Sequence, residues 1–230
     1  YSTLYADARK WEREGWLDYL TPQLYWTVES EHQSYPKLLR WWAEQNVKER
    51  HLWPGNFTSR VGDRSRKTNG KPQPAWTADE IIRQIEATRE TTGATGNVQF
   101  SMKALMKNFG GIADKLKRTV YAEPALVPES PWLGHETPMR PAISARAVDG
   151  GVAVQMKMPR GKAPWQWLVR VRTNDGWRTD IAPGGKHQRI VALDGGAGAR
   201  EVIVSGVSRL GREGPAATAK IGGVTKPGER

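Results

Sequence analysis

Trp16-Leu17-Asp18-Tyr19-Leu20-Thr21-Pro22-Gln23-Leu24-Tyr25-Trp26 is the stretch on which the reading of the fold turns. It starts as a short apolar and aromatic run, which suits a buried strand of a parallel sheet. Proline cannot donate to a ladder, so Pro22 is expected to end regular pairing and to leave Gln23 to Trp26 at the strand's C-terminal mouth. Working outward, Tyr5 to Glu14 carries Leu4, Ala8 and Trp11 at helical spacing, with Gly15 as a stop. Downstream, Tyr35 to Lys48 reads as a helix with Pro36 in its first turn and Leu38, Leu39, Trp42 and Val47 as its apolar stripe.

The alternation then repeats. His51 to Phe57 reads as a second strand, and a polar, basic loop follows from Thr58 to Pro74 with Arg60, Arg64, Arg66, Lys67 and Lys71. Thr77-Ala78-Asp79-Glu80 matches a capping box, and the helix it opens runs through Ile81, Ile82, Ile85 and Thr88 until Gly93 and Gly96. Asn97 to Met102 is a third strand, and a helical stretch continues from Met102 to Arg118. Three strand–helix units in succession imply a parallel α/β architecture. Right-handed crossovers put the C-terminal ends of all three strands on one face.

The texture changes between Tyr121 and Pro138, where Pro124, Pro128, Pro131 and Pro138 impose an extended, semi-rigid path. After Pro141 the pattern is all-β. Val152 to Met158, Trp165 to Thr173, Arg189 to Leu193 and Glu201 to Val207 alternate, and Gly-rich or Asp-Gly turns separate them, Asp194-Gly195-Gly196 among them. Such spacing predicts a β-sandwich. The expected division is residues 1–137, 138–222 and a tail at 223–230.

Composition bounds the chemistry. The chain has 230 residues, a net charge of +11 and no cysteine, so disulfides and thiolate metal sites are excluded. The charge is uneven: residues 1–137 hold 19 Lys and Arg against 17 Asp and Glu, whereas residues 138–230 hold 16 against 7. A basic module favours anionic partners or serves as a solubilising surface. Eleven tryptophans are a surplus that points to ligand-facing rings. No apolar run reaches the ~20 residues of a membrane span. His32, His51, His135 and His187 lack metal-type spacing, and Asn108-Phe109-Gly110-Gly111 lacks the context of a nucleotide loop, so no metal or other cofactor is expected.

Several phrases together resemble the bacterial glycosyl hydrolase-like 10 family. They are Leu4-Tyr5-Ala6-Asp7 before Lys10-Trp11, Glu14-Gly15-Trp16-Leu17-Asp18-Tyr19, Pro22-Gln23-Leu24-Tyr25-Trp26, and Tyr35 with Leu39 and Trp41-Trp42. Glu80-Ile81 with Gln84-Ile85, then Pro124-Ala125-Leu126 and Pro131-Trp132, complete the match over roughly residues 1–135. Residues 138–230 resemble the fibronectin type III-like module that can follow such barrels, with Arg209 to Pro215 as its last hairpin. The resemblance implies the C-terminal part of a (β/α)8 barrel, about its last three units, followed by an Ig/fibronectin type III-like sandwich. It implies hydrolysis of O-glycosyl bonds in a polysaccharide or cell-wall glycan by the complete protein, and an exported location in the periplasm, on a lipid anchor or outside the cell. The expected partners are a carbohydrate polymer and the missing N-terminal barrel portion. Parallel edges left without that portion predict dimerisation or continued association with it. The alternative is a non-catalytic glycan-binding scaffold with a basic sandwich; nucleic acid is the least favoured partner.

A glycosidase needs two carboxyl groups flanking the scissile bond, and in a barrel they sit at strand C-terminal ends. The candidate catalytic acids are Asp18, within the first strand, and Glu29, in the loop beyond Trp26, with Glu31 beside it. Sugars offer apolar C–H faces and a rim of hydroxyls, so aromatic and amide side chains bind them. On that ground Gln23, Tyr25, Trp26, Asn56, Gln99 and Ser101 are the candidate substrate contacts. Trp11, Trp41 and Trp42 fall in helices and are expected in the core. Trp165, Trp167 and Trp177 offer either a sugar platform or the sandwich core.

Overall fold

The computed structural model describes residues 4–63, 65–68, 70–193 and 198–221. The turn at 194–196 and the tail from 223 therefore lie outside the described residues. Two compact units divide the chain, Tyr1–Ala122 and Glu123–Arg230. The Pro-rich segment expected at the end of the first domain groups with the second unit.

In the first unit, helix α1 (Ala8–Glu14) is capped by Asp7, whose carboxylate accepts from the Lys10 N–H at 3.0 Å, and ends at Gly15 in the left-handed conformation (φ 69°). The strands are β1 (Tyr19–Leu20), β2 (His51–Leu52), β3 (Gly55–Asn56) and β6 (Val98–Gln99). Strand β1 pairs parallel to β2, and β3 pairs parallel to β6. Parallel bridges Gln23 to Gly55 and Leu52 to Ala94 join these short pieces into three adjacent strand paths. Pairing thus resumes beyond Pro22. The proline lacks an N–H but its carbonyl still accepts from Gly55 at 2.8 Å, and Pro54 accepts likewise from Val98 at 3.0 Å. The hairpin β4 (Lys67–Thr68) and β5 (Lys71–Pro72) forms in the basic loop.

Helices α2 (Tyr35–Gln45) and α3 (Ala78–Glu90) connect the strand paths. Alternation along the strands sends Leu20, Leu24 and Leu52 toward α2, where Tyr35 and Leu39 are fully buried. The α3 stripe of Ile81, Ile82 and Ile85 packs on Ile112 and Leu116. Helix α2 ends three residues earlier than its apolar pattern predicts, so Val47 is exposed. Trp11 and Trp41 are also partly exposed rather than core residues, and Trp41 stacks edge-on against Trp42 at 4.9 Å. The last helical stretch breaks into α4 (Met102–Met106) and α5 (Ile112–Arg118), because Asn108, Gly110 and Gly111 all take positive φ.

Among its described residues the second unit is a sandwich of seven antiparallel strands. One sheet has the order β11 (Gln188–Ala192), β8 (Gly151–Lys157), β7 (Ala142–Val148); the other has β10 (Gly176–Pro183), β9 (Gln166–Thr173), β12 (Glu201–Val207), β13 (Ala217–Lys220). Val152, Val154 and Met156 of β8 face Trp167, Val169 and Val171 of β9, as strict alternation requires. Trp167 is fully buried, worth roughly 3 kcal/mol of apolar transfer, and its indole N–H is satisfied by the Gly184 carbonyl at 3.0 Å.

Candidate functional site

The three strand paths end together and carry aromatic rings. Tyr25 stacks on Phe57 at 4.6 Å between centroids, and Phe100 stands 5.8 Å from Tyr25. Trp76 meets the edge of Phe57 at 6.2 Å, and the Arg66 guanidinium lies 5.5 Å from the Phe57 ring. A pocket of about 240 Å³ opens here, lined by Tyr25, Trp26, Ser30, Arg66, Gln73 and Trp76. Arg60 closes its base. Its guanidinium is buried and donates to the Asp63 and Pro74 carbonyls, each at 2.7 Å, which ties both ends of the basic loop together. Partial burial raises the pKa of Tyr25, so the phenol stays protonated and available as a donor.

Beneath the pocket runs a buried polar network. Asn56 donates to Tyr35 Oη at 3.2 Å and to Gln84 Oε1 at 3.0 Å. Asn97 donates to Tyr35 Oη at 3.1 Å and to Thr88 Oγ1 at 2.9 Å. Because the Thr88 hydroxyl gives its proton to the Gln84 carbonyl, the Tyr35 hydroxyl donates to Thr88 at 2.8 Å. Burial pushes the Tyr35 phenol up to about 12. Gln84 Nε2 in turn donates to the Trp26 carbonyl at 3.2 Å and to Glu80 at 2.9 Å, while Glu80 accepts from the Val28 N–H at 2.8 Å. Helix α3 thereby holds the Trp26–Val28 backbone in place.

These bonds also explain why the capping box does not form. Thr77 makes no side-chain cap, its carbonyl taking the Glu80 N–H at 3.2 Å, and the reciprocal half is lost because the Glu80 carboxylate is committed to Val28, Gln84 and Arg83. Bonds to a charged acceptor outweigh one exposed backbone donor.

The candidate residues are therefore distributed as follows. Tyr25 and Trp26 meet at the pocket. Gln23 is exposed on the first strand path, bridged to Gly55. Asn56 is fully buried in the network behind the sheet and does not reach the pocket. Gln99 joins that network, reaching Asn56 Oδ1 at 3.4 Å and the Tyr121 hydroxyl at 3.2 Å. Ser101 bonds Ser59 at 3.2 Å and links two loops. The two acids are not brought together. Asp18 precedes β1, and its carbonyl accepts from the His51 N–H at 3.1 Å. From there to Leu24, at the opposite end of the strand path, is roughly 20 Å of extended chain. Glu29 is exposed and paired with Arg83 at 2.5 Å. Glycosidase carboxyls stand about 5–9.5 Å apart, and Glu29 is engaged with Arg83 rather than with Asp18. Phe57, Arg66, Gln73 and Trp76 were not singled out from the sequence as site residues. The polar positions Glu80, Gln84 and Thr88 on the otherwise apolar face of α3 were the legible signal for the network.

Among the described residues no group of His, Asp and Glu is placed to hold a metal ion. No helix there is long and apolar enough to cross a membrane.

Residues 1–77 match the family model described as Glycosyl hydrolase-like 10. "Glycosyl hydrolase YngK" of Bacillus subtilis (strain 168) is 37% identical over 161 residues, which cover 68% of this chain and 30% of that protein. "Glycosyl hydrolase DigH" of Escherichia coli (strain K12) is 30% identical over 112 residues, 46% of this chain and 24% of that one. The chain thus spans less than a third of the length of the curated relatives it matches. Among solved structures, the fn3 domain of human collagen alpha-1(XX) aligns at 17% identity over 38% of this chain and 86% of its own, with a TM-score of 0.31.

Proposed function

Because the chain belongs, through residues 1–77, to the glycosyl hydrolase-like 10 family, we propose that it is part of a bacterial enzyme that hydrolyses glycosidic bonds of a polysaccharide or cell-wall glycan. The observation that carries this reading is the aromatic pocket at the C-terminal ends of three parallel strands, where Tyr25, Trp26 and Trp76 stand beside Ser30, Arg66 and Gln73. Strand C-terminal ends are where barrel enzymes keep their sites. The pocket's rings suit sugar C–H faces, and its polar groups suit hydroxyls. In this reading the strand–helix units are the last part of a (β/α)8 barrel. The three-plus-four strand order of the second unit supports its assignment as fibronectin type III-like. Glu29 and Glu31 flank the pocket residue Ser30 in sequence, and Asp18 precedes the first strand. An exported location rests on the family resemblance alone, because a chain without cysteine fits a reducing compartment as well as the periplasm.

The test is a titration of the chain with soluble glycan strands, followed by tryptophan fluorescence. Tyr25→Ala and Trp76→Ala should each weaken binding by about tenfold, the scale of a lost stacking contact with its hydrogen bonds. Unchanged affinity in both variants would sink the reading. One observation favours a second reading, a non-catalytic glycan-binding surface: Glu29 is neutralised by Arg83, and no acid among the described residues lines the pocket. Assay of the full-length protein separates the two. Loss of turnover in Glu29→Gln supports the hydrolase, and binding without any turnover supports the scaffold.

A further inference from the structure

We propose that the β unit carries a separate binding cleft for a carboxylate-bearing polysaccharide, built on Trp165 and Arg209. The inference is independent of the reading of the strand–helix unit. The cleft has a volume of about 680 Å³ and lies where the β8–β9 loop meets the turn after β12. Trp165 keeps 52% of its surface exposed, and the Arg209 guanidinium lies 4.2 Å from its ring centroid. Arg160 and Lys162 also line it, and Glu136 is the one acid that does.

The charge there is left unbalanced by the protein. Arg170, Arg172, Arg178, Arg189 and Arg212 of the same unit each pair with a carboxylate. Arg160, Lys162 and Arg209 make no ion pair among the described residues. Three cations and one acid thus line the cleft, beside an indole that keeps about half of its surface exposed.

The frame that presents them is rigid. The Trp165 N–H donates to the Val207 carbonyl at 2.8 Å, and its own carbonyl accepts from Gly184 at 2.9 Å. Arg209 sits in a turn in which Ser208 Oγ accepts from the Leu210 N–H at 3.3 Å and the Arg212 N–H at 3.1 Å. Gly211 closes that turn at φ +83°, where a Cβ would come within 2.9 Å of the Val127 and Pro128 carbonyl oxygens. The backbone that presents the ring and the guanidinium is therefore pre-organised, which lowers the ordering cost of binding.

The chemistry selects the ligand. An indole face takes the apolar side of a pyranose, and a guanidinium fork takes a carboxylate through two parallel bonds. Single-stranded nucleic acid would need successive rings for successive bases. Here Trp167 is consumed by the core and Trp177 does not line the cleft.

The experiment measures binding of the 230-residue chain to polygalacturonate, to its fully methyl-esterified neutral form and to an oligothymidylate. Polygalacturonate should bind, and the esterified polymer should bind at least about tenfold more weakly, since esterification removes the charge-assisted bonds. Trp165→Ala and Arg209→Gln should each weaken polygalacturonate binding by about tenfold, and the Arg160→Gln/Lys162→Gln pair should lower its salt dependence. The loop pair perturbs no core residue, so it guards against a folding artefact. No binding, equal binding of the esterified form, or indifference to Trp165→Ala and Arg209→Gln overturns the proposal. So does tighter binding of the oligothymidylate that the same variants abolish, which would make the cleft a nucleic-acid site.

Discussion

Tyr35 concentrates what single residues do in the first unit. Its hydroxyl accepts from Asn56 and Asn97 and donates to Thr88 in a fully buried setting. Tyr35→Phe leaves those groups short of a partner and should cost about 1–3 kcal/mol of stability, read as a lower urea midpoint at unchanged slope. Glu12 has the opposite character. It is fully buried, neither carboxylate oxygen has a hydrogen-bond partner among the described residues, and burial raises its pKa to about 7. The folded state then binds more protons than the unfolded state between the ordinary carboxylate range and pH 7. Stability from Glu12 is therefore greatest at low pH and falls as pH rises through that window. His51 works in the other sense, since burial lowers its pKa against the opposing charge of Asp18. The difference between the chain and Glu12→Gln isolates Glu12: the variant should be the more stable at pH 8, by on the order of 2 kcal/mol, and the gap should close toward pH 5. Equal pH profiles for the two proteins would refute this account.

At the scale of elements, periodicity made the strands and α3 legible, because burial on one or both faces leaves a pattern of apolar residues. Where elements stop depends on backbone conformation. The single helix expected from Met102 to Arg118 is two, because the chain must turn through left-handed Asn108, Gly110 and Gly111. Gly110 has φ +54°, and a Cβ there would lie 2.9 Å from Val61 Cγ1. Gly110→Ala should therefore destabilise the first unit by about 1–2 kcal/mol, whereas the exposed Gly70→Ala, with nothing within 4 Å, should show only the smaller penalty of its positive φ. Thermal melts of the two variants make the comparison. The unformed capping box and the pairing beyond Pro22 have a common cause. A motif states which bonds are available locally, and a stronger acceptor or an unused carbonyl elsewhere decides which are made.

For the whole molecule, the two compact units predict separable behaviour. Limited proteolysis between Ala122 and Glu123 should release a β unit whose cooperative melt matches one transition of the uncut chain. A single transition lost on cleavage would contradict the division. The first unit presents the other prediction. Tyr19, Val98 and Phe100 are exposed at 54%, 39% and 50%. An apolar surface of that kind favours association, so the light-scattering mass of the chain should rise with concentration, and Phe100→Lys should reduce the rise. The basic balance of the second unit is a property of the whole surface, but only the fold brings Arg160, Lys162 and Arg209 together with Trp165 in one cleft.

The sequence by itself determined the parallel strand–helix succession, the sandwich, the resemblance to the family and the placing of Tyr25 and Trp26 at a strand mouth. Each of these is written in local periodicity, turn residues or a contiguous phrase. The tertiary structure decided what distant segments do to one another. It buried Asn56 behind the sheet with Tyr35 and Gln84, and drew Arg66, Gln73 and Trp76 from the basic loop to the pocket. It also placed Asp18 before the first strand and paired Glu29 with Arg83 of α3. Those outcomes follow from which face a side chain takes and which loop folds over it, and both are fixed by packing between residues tens of positions apart.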